Sequence, residues 1–156
     1  TLALGEYVYS YELNTRFGLR LSYDAWPALP PFDPDLQLIR AHYEDITVTL
    51  VGTADDRLQA FQGHVYSIEL RGGLWRTGTG LSVGDPLKSI LLQHPFADLW
   101  NWTAGFPLTY DRVEYVLRDG LISSIRVSRQ NTELAEAIAK ASRLTPTPAP
   151  ANTDTP

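Results

Sequence analysis

The chain contains no cysteine and no methionine. Without thiols it forms no disulfide, no thiol nucleophile, no zinc ribbon and no iron–sulfur site. Basic residues are scarce, 13 Lys and Arg against 18 Asp and Glu, which leaves a formal net charge of −5. That balance argues against a domain held on nucleic acid by phosphate contacts. No apolar run approaches the ~18 residues that a membrane helix needs. A membrane span is therefore not expected, while peripheral or lipid-anchored attachment stays open.

What remains is ordinary material for a folded protein: 156 residues, 44% hydrophobic and 11% aromatic. A chain of this size buries roughly 70% of its unfolded surface. The expectation is a single domain over residues 1–144. Residues 145–156 read TPTPAPANTDTP, with four Pro, four Thr and nothing large and apolar. Such a stretch cannot bury enough surface to fold and is expected to be a disordered tail or linker. Together with the missing methionine, even at position 1, it leads to the expectation of an extracytoplasmic protein, periplasmic or secreted.

Periodicity supplies the elements. Tyr7, Tyr9, Tyr11 and Leu13 alternate with Glu6, Val8, Ser10 and Glu12, and Phe17, Leu19, Leu21 and Tyr23 with Arg16, Gly18, Arg20 and Ser22. Period two predicts two half-buried strands, with Asn14-Thr15 as the turn between them. Asp33-Pro34 suggests a helix over 35–43, Pro being preorganised for a first helical position; a strand over 36–40 is the alternative. Ile46, Val48 and Leu50 mark a strand, and Tyr66, Ile68 and Leu70 the face of another. Asp85-Pro86 is the clearest helix start, with Leu87, Ile90, Leu91 and His94 on one face.

Val113, Tyr115 and Leu117 alternate toward Asp119-Gly120, and Leu121, Ser123, Ile125 and Val127 alternate after it. A two-residue turn would set Leu117 opposite Ile122 and mix the two apolar faces. One buried face fixes register, so a three-residue loop with Leu117 opposite Leu121 is predicted. A final helix is expected over 133–142, burying Leu134, Ala137, Ile138 and Ala141. The predicted fold class is α+β: a mainly antiparallel sheet packed by two or three short helices. Residues 17–70 and 79–128 share a grammar that suggests two α-β-β repeats.

Few residues suggest chemistry. Gly80-Leu81-Ser82-Val83-Gly84 matches the nucleophile elbow G-x-S-x-G. The one histidine after it, His94, falls about three turns down the following helix, roughly 15 Å away, and a general base must lie within hydrogen-bond reach. Gly78-Thr79-Gly80 hints at phosphate binding, but position 83 is Val where a dinucleotide fingerprint needs a third glycine, and Asp85 would repel an anion. His42, His64 and His94 show no metal-ligand spacing; His42-Tyr43-Glu44-Asp45 offers ligand types without closing a shell. No catalytic residue, metal or cofactor is expected.

The remaining candidate is aromatic. Trp100, Trp102, Phe106 and Tyr110 crowd the segment 96–110 between Pro95 and Pro107. Aromatic rings bury large area at low entropy cost, which suits a sugar-stacking or protein-contact loop. The competing reading, and the favoured one, is a lid over the sheet's core. Asn101-Trp102-Thr103 is a glycosylation acceptor pattern that matters only in a secretory host.

Residues 79–128 carry TGLSVGDPLKSILLQHP and then VEYVLRDGLISSIRV. This order of turn, capped helix, aromatic insert, strand, Asp-Gly and strand resembles small periplasmic lipoproteins of the BamE/SmpA type and beta-lactamase inhibitor protein. The resemblance covers about a third of the chain, and His94-Pro95 stands where that pattern often ends its helix in G-x-P. It implies a helix-plus-sheet module with an adhesive sheet face and no catalysis, and it transfers no site residue. The function expected is a non-catalytic interaction module of the bacterial cell envelope whose partner is another protein. The alternative is a small-ligand or carbohydrate-binding domain using loop 96–110, and a small hydrolase comes third.

Overall fold

In the computed structural model, residues 2–94, 108–110 and 112–144 are described. They build an α+β fold: eight antiparallel strands and three helices. In chain order these are β1 (Tyr7–Tyr9), α1 (Ser10–Phe17), β2 (Ser22–Pro27), β3 (Gln37–Tyr43), β4 (Ile46–Asp55), β5 (Ala60–Leu70), α2 (Leu87–Gln93), β6 (Leu108–Tyr110), β7 (Val113–Arg118), β8 (Leu121–Ser128) and α3 (Asn131–Leu144). The sheet runs β2-β3-β4-β5-β8-β7-β6. β5 is the pivot. One edge pairs with β4 along the strand's length, while the other takes β1 at residues 62–64 and β8 at residues 67–70.

Each face of the sheet has its own core. On the first, α1 contributes Leu13 and α2 contributes Ile90, packed with Ile39, Tyr43, Leu50, Val65, Tyr115 and Ile125. On the second, Leu134 of α3 packs with Phe32, Ala28 and Val51, joined by Tyr66 and Ile138. Burying one Leu or Ile side chain contributes roughly 1.5–3 kcal/mol, so each helix is held chiefly by its apolar stripe. Arg112 and Arg129 both pair with Glu133 (2.7 and 3.4 Å), fixing the start of α3. α3 is longer than its periodicity suggested, and Ala141 is exposed rather than part of the packed stripe.

The first 23 residues do not form two strands. β1 stops at Tyr9 and α1 follows directly. Leu13 and Phe17, four apart, both turn into the core, and Glu12 accepts the Tyr9 N–H at 3.1 Å, closing the helix start. Gly18, at φ 86°, ends the helix, its N–H donating to the Asn14 carbonyl. The i, i+4 pair followed by glycine outweighs the alternation of tyrosines.

Residues 35–43 are not a helix either. Asp33 accepts the Asp35 N–H, closing a turn, and β3 follows with Ile39, Ala41 and Tyr43 buried on one face. Asp85 does not cap α2. Pro86 holds that position, and the Asp85 carboxylate turns back to accept the Ser82 N–H.

Two β-bulges correct the predicted faces. Thr49 pairs with Ser67 and Leu50 with Val65, so Tyr66 is the extra residue. Val65 joins Ile68 and Leu70 in the first core, and Tyr66 crosses to the second. In the last hairpin, Leu117 does face Ile122 across a two-residue turn, with Asp119 and Gly120 at φ 56° and 78°. Ser123 is the extra residue, and its hydroxyl donates to the Val116 carbonyl at 3.1 Å. The bulge restores Tyr115 opposite Ile125 on the buried face, so the short turn mixes nothing; Leu121 is left exposed. Where β4 and β5 pass closest, Gly52 pairs with Gly63, and a Cβ on Gly52 would collide with the Gln62 carbonyl oxygen.

Candidate interaction surface

Trp100, Trp102 and Phe106 lie outside the described residues. Tyr110 ends β6, where its backbone pairs with Val113; its side chain is likewise outside the description. The aromatic-loop site therefore has no geometry here, and the structure brings forward other tyrosines.

Val8 is buried in the first core, so its neighbours Tyr7 and Tyr9 project from the opposite face. Tyr11, on the first turn of α1, stacks on Tyr9 with ring centroids 5.6 Å apart and planes 20° from parallel. Tyr9 meets Tyr7 nearly at right angles, and Tyr7 forms a T-shaped contact with His64. The three tyrosines are 44%, 41% and 66% exposed. The sequence pattern assigned these rings to the core, and the fold turns them outward. The signal was Val8: one aliphatic residue between tyrosines decides which side is buried, because Tyr tolerates water and Val does not.

His64 holds the base of the row. Its Nδ1 lies 3.1 Å from the Gly5 carbonyl, which can only accept, so the proton sits on Nδ1. Partial burial, and then the neighbouring Tyr9 hydroxyl, raise the Tyr7 pKa above its ordinary value. Beside the row is a shallow depression of about 310 Å³, bordered by Tyr9, Tyr11, Thr53, Asp55 and Leu58. Leu58 is 74% exposed, and its turn is pinned by Asp55, whose Oδ1 accepts the N–H groups of Arg57 and Leu58.

A second hollow, about 680 Å³, opens on the other side of the sheet. Its walls come from the chain start, the end of α1, the sheet and the 75–78 loop: Leu4, Phe17, Ile68, Trp75 and Val127, with Arg16 and Arg76 also lining it.

The residues that suggested chemistry are accounted for structurally. Ser82 is buried, and its Oγ donates to the Trp75 carbonyl at 2.9 Å, as part of a turn rather than an elbow. His94 Nε2 lies 3.4 Å from the Tyr115 hydroxyl. His42 sits between Thr47 (3.3 Å) and Asp24 (3.2 Å). Among the described residues no group of His, Asp and Glu converges as a metal site, and no helix is long and apolar enough to cross a membrane. Set against family models, curated proteins and solved structures, the chain matches none of them.

Proposed function

We propose that this chain is a non-catalytic interaction module of the bacterial cell envelope, acting outside the cytoplasm, whose tyrosine row receives a partner protein. The observation that carries this reading is the row itself: Tyr7, Tyr9 and Tyr11 in mutual ring contact on an exposed surface, beside a depression rimmed by Leu58. Tyrosine combines a large apolar ring with a hydroxyl that stays satisfied in water, and it is enriched among residues that dominate binding energy. The depression suits a side chain inserted from the partner.

A sugar platform fits less well, because Tyr9 and Tyr11 stack on each other and their faces are partly occupied. The envelope setting draws on the resemblance of residues 79–128 to periplasmic modules with an adhesive sheet face. The test is chemical cross-linking and capture from a bacterial envelope fraction, comparing the unaltered chain with Tyr9→Ala/Tyr11→Ala. A defined protein captured by the former and lost from the folded double variant is the expected result. Equal capture by both, or none by either, overturns the reading.

A further inference from the structure

The hollow on the first face is independent of the tyrosine row. At about 680 Å³ it falls within the range of small-molecule sites, ~300–1,000 Å³. Its walls are apolar and its charges are of one sign: Arg16 and Arg76 line it and no acidic side chain does. Both arginines are exposed, so they stand where the hollow meets solvent. Glu6 answers one of them, contacting Arg16 at 3.4 Å. Arg76 donates to the Gly80 carbonyl at 3.3 Å, a neutral acceptor, and no acidic side chain pairs with it among the described residues. On a chain of net charge −5, a cationic rim around an apolar hollow is a local reversal.

The wall holds one further oddity. The indole Nε1 of Trp75 is buried and has no hydrogen-bond partner among the described residues. An unmet buried donor costs roughly 1–3 kcal/mol, and such exceptions call for a reason.

We propose that this hollow binds an anionic amphiphile, a carboxylate with an aliphatic body. The body lies against Phe17, Ile68, Trp75 and Val127, and the carboxylate meets the guanidiniums of Arg76 and Arg16. Planar guanidinium recognises carboxylate through paired N–H donors.

The test is calorimetric titration of the full chain with decanoate, decanol and decyltrimethylammonium, all below micelle formation, with tryptophan fluorescence followed in parallel. Decanoate is expected to bind one molecule per chain, decanol more weakly and the cation not at all. Arg76→Gln should weaken decanoate about tenfold, the loss of one charge-assisted hydrogen bond, and leave decanol and the melting temperature unchanged. Equal binding of all three probes overturns the assignment, since it reports apolar partition alone. No binding overturns it too, as when other parts of the chain fill the hollow. Decanoate affinity unchanged in Arg76→Gln removes the head-group site. The head-group series on the unaltered chain decides the matter even if that variant folds poorly.

Discussion

Tyrosine plays opposite parts in two regions of this molecule. Tyr43 and Tyr115 are inside the first core, each with its hydroxyl near one polar partner: Tyr43 donates to Asn14 Oδ1 at 2.7 Å, and Tyr115 lies beside His94. Tyr7, Tyr9 and Tyr11 stand outside, with rings touching one another. The residue type is the same, and alternation with other residues is the same for Tyr7, Tyr9 and Tyr115. What differs is the company on the strand. Tyr43 shares its face with Ile39 and Ala41, and Tyr115 faces Ile125, whereas Tyr7 and Tyr9 flank a buried Val8. Buried tyrosines carry stability; exposed ones are available to a partner.

That division is open to direct attack. Tyr43→Ala should have the largest effect, lowering unfolding free energy by roughly 3–5 kcal/mol, as for other large-to-small aromatic changes in a core; urea denaturation measures it. A loss under 1 kcal/mol would mean Tyr43 is not packed as described. Next comes alkaline pH. Burial raises the Tyr43 pKa from 10.0 to about 12, partly opposed by Arg20. The unfolded chain therefore loses this proton first, and stability is whole below pH 10 and falls as pH rises toward 12. The loss is roughly 2–3 kcal/mol for a shift of this size. Tyr43→Phe, costing about 1 kcal/mol at neutral pH for the lost hydroxyl and the unmatched Asn14 acceptor, should flatten the alkaline limb. A limb as steep as before would assign the effect elsewhere. The smallest effect belongs to the outer row. Tyr9→Ala and Tyr11→Ala should each stay within about 0.5 kcal/mol of the unaltered chain while abolishing partner capture. A large destabilisation from either would make the row structural.

How much of this was legible beforehand follows from range. The α+β class, β4, β7, β8, α2 and α3 rest on local periodicity and emerge from the sequence. α1 was hidden because its i, i+4 pair, Leu13 and Phe17, overlaps a run of alternating tyrosines. β3 stood only as the alternative to a helix, because small Ala41 masks the period of two while Leu36, Ile39 and Tyr43 mimic a helical stripe. The bulge positions were not legible: apolar residues on the wrong parity, Val65 and Ile122, look like noise until a strand partner shows one residue too many. Neither surface could be found from spacing. The tyrosine row depends on which side Val8 takes, and the hollow joins Leu4, Phe17, Trp75 and Val127, which meet only when the sheet closes.

The double occupancy of one β5 edge also separates near pairings from distant ones. β2 pairs with β3, β3 with β4 and β4 with β5, three neighbours in sequence that can zip together with modest loop-closure cost. The other edge waits for visitors from opposite ends of the molecule: Tyr7 arriving beside His64, and Val127 beside Ile68. Those two arrivals complete the tyrosine row and the hollow. The row and the hollow therefore both rest on pairings between residues far apart in sequence, and a ligand at either place would hold that edge of β5 closed.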